Sequence, residues 1–260
     1  MTEKKLGKVI AISGSMRRDA NTDYFMNIVL DECKKEGFET ELIPLRNKRI
    51  EGCAYDLCAE DGDRDPNGYS YSHCGYQHPP YWMPKYDKCA LQDDFWPIFE
   101  EMCDADGIIL GSPVYFGSAT PKIKALIDRA GICAEARGHY IRYLKDPEQK
   151  KKAEEMIANA TPEMQKWYEN GLLYRKVGCA VAVTRRTSAN FTWAQLMMFF
   201  GICNMIVPGS IYWPVSVGGA LGYRASKEEY MDPEGEETMQ ILGQNMAWLI
   251  KKTKNIPTQD

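Results

Sequence analysis

The chain has 260 residues, of which 44% are hydrophobic and 26% charged, and its formal net charge is −4. That length suits one large core, alone or with a small appendage, and the composition is ordinary for a soluble globular protein. The acidic balance argues against a nucleic-acid footprint, and no apolar run approaches the ~20 residues needed to span a bilayer. The amino terminus passes from charged residues directly into a strand pattern, with no secretory h-region or cleavage site, so a cytoplasmic protein is expected.

Residues 8–13 (KVIAIS) form a short apolar run ending in Ser-Gly-Ser and read as a buried strand. Residues 21–35 follow with helical spacing, closed by Gly37, and residues 39–45 read as a second strand. Residues 46–92 break the alternation; they are crowded with Gly, Pro, Asp, Tyr and Cys and keep no period. So long a stretch inside a compact domain is usually functional or disordered, and its tyrosines, Trp82 and cysteines argue against disorder. A helix is expected over 94–103, a third strand over 107–111, and a helix over 121–134 with Pro121 in its first turn. Residues 137–175 form a second departure, read as one or two solvated helices with a solvent-facing charge run at 149–155. Met156, Met164, Trp167 and Tyr168 make it a candidate contact between subunits, the alternative being a helix folded back on its own chain. Residues 177–184 are a buried strand, 193–203 an apolar helix, 205–207 a fifth short strand, and 234–252 a closing amphipathic helix.

Near-continuous apolar strands alternating with helices predict a parallel sheet covered on both faces. Five strands, with no GxGxxG after the first, point to an α/β, flavodoxin-like, doubly wound parallel sheet of order 2-1-3-4-5. One domain is expected over residues 1–260, carrying insertions at about 46–92 and 137–175.

In such a sheet the loops after strands one, three and four gather at one edge, where ligands bind. The first, 13–22 (SGSMRRDANT), offers hydroxyls and a helix amino terminus suited to a phosphate; as a routine turn, it would use Asn21 as the helix cap. The second, 113–118 (PVYFGS), places Tyr115 and Phe116 beyond the strand, with Gly117 permitting close backbone approach to a flat ring. Core packing is the alternative for both aromatics. The third, 184–188 (TRRTS), presents Arg185 and Arg186 as planar donors to a ring edge or phosphate, with ordinary surface arginines as the alternative.

Together these positions resemble the NAD(P)H-dependent FMN reductase and iron–sulfur flavoprotein group of the flavodoxin-like superfamily. The resemblance is carried by Ser13-Gly14-Ser15-Met16-Arg17 with Asn21-Thr22, by Cys89 with Asp93-Asp94, and by Ala105-Asp106-Gly107. It continues through Gly111 to Gly117, Lys124 to Arg129, Thr184-Arg185-Arg186 and Asp232-Pro233-Glu234-Gly235. It implies that Ser13, Ser15, Met16, Arg17, Asn21 and Thr22 form the FMN phosphate loop, although the family often has proline where Met16 stands. It further implies that Pro113, Val114, Tyr115, Phe116 and Gly117 contact the isoalloxazine, with Thr184, Arg185 and Arg186 near its pyrimidine side. A homo-oligomer, dimer or tetramer, is implied as well, because flavin sites in that group lie at subunit contacts.

Of nine cysteines, Cys33, Cys103, Cys133, Cys179 and Cys203 lie in apolar or amphipathic runs and read as small buried hydrophobes. Cys53, Cys58, Cys74 and Cys89 lie in the polar insertion, spaced C-x4-C-x15-C-x14-C. Four thiolates match the ligand count of a [4Fe–4S] cluster or a tetrahedral zinc site. The resemblance puts Cys53 and Cys89 where first and last cluster ligands fall, but its compact spacing is not kept. The cluster reading stands first and a metal-free aromatic lid second, while His73 and His78 keep a mixed Cys/His zinc site open as the third.

The function expected is that of an FMN redox flavoprotein. With a cluster it would exchange single electrons with a ferredoxin-like donor; without one it would use NAD(P)H to reduce flavin, quinone or a related small acceptor. No acid–base residue is assigned: Asp93 and Asp94 precede a helix whose dipole favours carboxylates, and Asp128 is read as structural too. The alternative is a non-enzymatic flavodoxin-like binding or scaffold protein, with structural zinc or a metal-free insertion.

Overall fold

The computed structural model describes residues 5–53, 59–64, 70–72, 91–134, 145–218 and 232–255. Its central sheet contains β1 (Lys8–Ser13), β2 (Glu39–Pro44), β5 (Gly107–Pro113), β6 (Val177–Thr184) and β7 (Val215–Val217) in the order β2-β1-β5-β6-β7. Every pairing is parallel. Counted along the chain, those five strands have the expected order 2-1-3-4-5.

Alternation along each strand divides the core in two. Ile10, Ile12, Ile108, Leu110 and Ala180 face one side, where they pack with α2 (Phe95–Asp104), α3 (Pro121–Ala134) and α6 (Ala189–Ile202). Val9, Ala11, Ile109, Cys179 and Val181 face the other, against α1 (Asn21–Lys35) and α7 (Pro233–Thr253). Successive side chains of a strand point to opposite faces, so a strand covered on both sides must be apolar throughout. Five of the six β1 residues and all eight of β6 are buried accordingly.

The fifth strand differs from expectation. Residues 205–207 contribute a single bridge, Ile206 to Val177, with Gly178 N–H donating to Ile206 (2.9 Å) and Ile206 N–H to Lys176 (2.9 Å). Pro208 follows at once and has no N–H to extend the ladder. The chain swings out and returns at Pro214, whose carbonyl accepts from Ala182 (3.0 Å), and β7 then pairs with Ala182–Thr184. The edge strand therefore stands at the carboxyl end of β6, beside the loops expected to bind a ligand.

Within the first insertion, β3 (Ala59–Arg64) and β4 (Ser70–Ser72) form an antiparallel pair that periodicity did not reveal. The second insertion contains α4 (Pro147–Ala158) and α5 (Pro162–Asn170), as expected. Trp167 and Tyr168 are buried, their rings stacked at 4.9 Å, and Leu172 N–H donates to the last residue of α3, Ala134 (2.9 Å). For those two aromatics the fold-back alternative holds. Among the described residues, no helix is long and apolar enough to cross a membrane.

Candidate cofactor site

The first loop leaves β1 and turns into α1. Gly14 makes the turn close against its neighbours: its N–H donates to Gly111 (2.7 Å) and its carbonyl accepts from the Thr120 hydroxyl (2.8 Å). A β-carbon at Gly14 would lie 2.7 Å from that hydroxyl oxygen, so only glycine fits without displacement. Ser13 is fully buried, and its hydroxyl donates to Asp23 in the first turn of α1 while accepting from Ser15 N–H (3.3 Å). Ser15 Oγ in turn accepts from Arg17 N–H (3.3 Å). The helix is capped by Ala20, not Asn21, and Ala20 has no side-chain acceptor to offer its first turn. Met16 is half-buried, Arg17 exposed, Asn21 half-buried and Thr22 buried. With alanine at the cap position, no side chain there competes with an anion for the first-turn N–H groups.

The second loop is a tight reversal. Tyr115 and Ser118 exchange both backbone hydrogen bonds, at 2.9 and 3.1 Å, around Phe116 (φ 49°) and Gly117 (φ 87°). Two successive positive φ values are what a type I′ turn requires; Gly117 adopts its value freely, whereas Phe116 does so at a cost. That strained residue carries a ring standing wholly in solvent (110% relative exposure), and Tyr115 beside it is 37% exposed. Neither ring belongs to the core. The turn is fixed from outside by Gln195 of α6, whose carbonyl oxygen accepts from the Ser118 hydroxyl (3.0 Å) and Ala119 N–H (3.1 Å). Pro113 ends β5, and Val114 N–H is engaged by Val183 (2.8 Å).

The third loop closes on itself: Thr184 Oγ1 donates to Thr187 (2.6 Å) and accepts from Arg186 N–H (3.2 Å), leaving Arg185 and Arg186 exposed. A β-carbon on Gly117 would lie 3.7 Å from Ser188 Oγ, so the second and third loops are neighbours. The residue after β7 adds a fourth wall not foreseen from sequence. Gly218 N–H donates to Thr184 (2.6 Å), and a β-carbon there would lie 3.0 Å from Asn21 Nδ2. Asp232 secures this wall by accepting from Ser216 Oγ (2.6 Å), Val217 N–H (3.0 Å) and Gly235 N–H (3.1 Å), which also caps α7. Hence the loops holding all fourteen predicted cofactor residues meet at the carboxyl edge of the sheet. Asp23, Gln195 and Gly218, which fasten that edge, carry no motif signal.

Of the four insertion cysteines, Cys53 is exposed, and Cys58, Cys74 and Cys89 lie outside the described residues. Among the described residues no group of three or more His, Cys, Asp or Glu side chains is arranged to hold a metal ion. Four of the five cysteines read as buried hydrophobes are buried and Cys103 is half-buried. Asp128 forms an exposed helical pair with Lys124.

A family model for NADPH-dependent FMN reductase matches residues 7–220. The chain is 32% identical over 250 residues to an iron–sulfur flavoprotein of Methanocaldococcus jannaschii, covering 95% of this chain and 99% of that protein. To an iron–sulfur flavoprotein of Methanosarcina thermophila it is 31% identical over 123 residues, 47% of this chain and 52% of that one. Among solved structures, RosB with its bound intermediate 8-demethyl-8-formylriboflavin-5'-phosphate is similar at a TM-score of 0.61 and 15% identity, over 96% of this chain and 81% of that one. A flavone reductase is similar at a TM-score of 0.59 and 21% identity, over 97% of this chain and 66% of that one. At these identities the two structures speak for a common fold alone.

Proposed function

The chain belongs to the NADPH-dependent FMN reductase family, and from that premise we propose that it is a cytoplasmic oxidoreductase holding FMN across the carboxyl edge of its sheet. The observation that carries this reading is Phe116, a fully exposed ring held at positive φ beside Tyr115, at the edge where α1 begins on an alanine cap. Strain and exposure of this kind persist where a ligand uses them. Ser15, Met16, Arg17, Asn21 and Thr22 receive the phosphate. Pro113, Val114, Tyr115, Phe116 and Gly117 wall the ring and exclude water from one side, and Thr184, Arg185 and Arg186 supply donors to its polar edge. Ser13 serves from beneath, because its hydroxyl is directed to Asp23. When bound, FMN supplies the hydride and single-electron transfer that no side chain offers. The protein orients it and sets its electrostatics.

The electrons come from NAD(P)H and pass to flavin, quinone or a related small acceptor. Purified protein is expected to be yellow, to contain FMN, and to oxidise NADPH or NADH in the presence of such acceptors. A colourless chain that takes up no FMN on titration would sink the reading.

A second reading is favoured by the relative that spans nearly the whole chain and is named an iron–sulfur flavoprotein. In it, Cys53, Cys58, Cys74 and Cys89 hold a [4Fe–4S] cluster, and the partner is a ferredoxin-like electron donor. Iron content and the absorbance spectrum of anaerobically prepared protein separate the two: a pure flavin spectrum without iron excludes the cluster.

The reading includes a homo-oligomer. Phe191, Met198 and Ile202 recur at helical spacing on the outer side of α6 and are 62%, 70% and 75% exposed. A helix apolar on every side normally lies buried, so this outer side suits a second copy of the chain.

A further inference from the structure

Beneath the phosphate loop lies a charge pair that the cofactor reading does not use. Asp23 is the third residue of α1 and only 6% exposed; it takes the Ser13 hydroxyl on one oxygen and Arg46 Nη1 on the other (2.7 Å). The Arg46 side chain is itself mostly covered, at 19% exposure. A carboxylate in the first turn of a helix draws on the same positive dipole end that an incoming phosphate would use. It stands one hydroxyl away from the loop, since Ser13 Oγ also accepts from Ser15 N–H (3.3 Å). Without a counter-charge, the buried Asp23 carboxylate would repel a phosphate dianion brought to that loop.

Arg46 is held where it must be to cancel that charge. It belongs to the short 3-10 turn Leu45–Asn47 that follows β2. Lys122, in the first turn of α3, donates to the carbonyls of Leu45 (3.1 Å), Arg46 (3.3 Å) and Lys48. The guanidinium is thus presented to Asp23 from a backbone fastened to the helix that leaves the aromatic loop.

We propose that Arg46 is a positioning residue for the flavin phosphate: by neutralising Asp23, it lets the Ser13–Ser15 loop accept a dianion while Asp23 still orients the Ser13 hydroxyl. The inference rests on the FMN reading above. It predicts opposite effects from removing either charge, which a packing role does not.

The test is equilibrium dialysis of the full chain against FMN and against riboflavin, which lacks the phosphate. Arg46→Met is expected to weaken FMN binding about tenfold or more and to change riboflavin binding by less than about twofold. Asp23→Asn, which keeps an oxygen for Ser13, is expected to shift preference toward FMN, and the double variant to restore it to near the wild-type ratio. Arg46→Lys, which keeps the charge, is expected to hold most of the FMN preference. Equal weakening of both flavins by Arg46→Met, or loss of FMN preference in Asp23→Asn, overturns the proposal. Should Arg46→Met fail to fold, Asp23→Asn and the double variant decide by the same ratio. Wild-type protein that binds neither flavin refutes the FMN reading instead, and wild-type protein that binds both equally refutes its phosphate site.

Discussion

Arg129, in the middle of α3, and Asp93, two residues ahead of α2, form a two-pronged ion pair at 2.6 and 3.0 Å, with side chains only 2% and 1% exposed. The same carboxylate accepts from the N–H groups of Glu51 (2.8 Å) and Phe95 (3.1 Å), and the guanidinium lies 4.1 Å above the Phe95 ring. Asp94 adds a second strap, accepting from Arg49 N–H (2.7 Å) and donating its own N–H to Arg49 (3.0 Å). The stretch that enters the cysteine-rich insertion and the one that leaves it are therefore fastened to each other and to α3.

Removing one partner of a buried pair strands the other charge, at a typical cost of about 3–5 kcal/mol. Arg129→Met is expected to lower the unfolding free energy by an amount of that order, read as a lower denaturant midpoint with little change in slope. A loss below about 1 kcal/mol would mean that packing, not the pair, holds the neck of the insertion.

The pair also sets an acid limit. Burial by itself works against the Asp93 charge, but hydrogen bonds from Arg129 and from Glu51 and Phe95 N–H outweigh it and hold the carboxyl below the usual aspartate range. A lowered folded-state pKa contributes stability that is fully present above the unfolded-state value and is lost as pH falls through the folded one. Denaturant titrations at a series of acidic pH values should therefore show a shallower stability loss in Asp93→Asn than in wild type. Identical acid slopes would contradict the assignment.

Phe116 offers a trade between stability and binding. A non-glycine residue in the left-handed region costs roughly 1–2 kcal/mol, and asparagine tolerates it better. Phe116→Asn is expected to raise the melting stability of flavin-free protein by about 0.5–1 kcal/mol while weakening flavin binding. Calorimetry together with flavin fluorescence titration reads both; tighter flavin binding in the variant would show that the ring is not a wall of the site.

The interior cysteines should be chemically silent. Burial pushes the Cys33 and Cys103 thiols up to about 12 and raises Cys179 well above its ordinary range, so near neutral pH they lack the nucleophilic thiolate. Maleimide labelling followed by peptide mapping is expected to leave these three unmodified in native protein and to modify them in denaturant. Rapid native labelling of Cys179 would mean that the sheet opens on that face.

The outer side of α6 predicts the assembly state. Ile202→Glu with Met198→Glu is expected to lower the mass found by light scattering while leaving the monomer folded, since both side chains point to solvent. An unchanged mass would place any subunit contact elsewhere.

Much of this was legible in the sequence. The runs at 8–13, 107–111 and 177–184 are near-continuously apolar because helices cover both faces, and that requirement alone located β1, β5 and β6. The order and parallel direction that this alternation implies put the loops of Ser13, Tyr115 and Thr184 at a common edge. The edge strand was less legible: residues 205–207 and Val215–Val217 are both short and apolar, and only hydrogen-bond closure against β6 distinguishes a bridge from a strand. Arg129 had one readable sign, a cation on the face of α3 shared with buried Leu126 and Cys133. Its partner Asp93 stood out only as half of an Asp-Asp pair ahead of a helix, a pattern that does not say which cation it meets.

What the sequence determined by itself is the pattern of burial along each element, hence the sheet, its two faces and the edge where a flavin is expected. The tertiary structure alone decided which distant polar groups meet: Arg129 with Asp93, Arg46 with Asp23, and Gln195 with the Phe116 turn. The physical reason is that periodicity records whether a side chain faces water or protein. The identity of a polar partner depends on where two folded segments come to rest, and no local pattern encodes it.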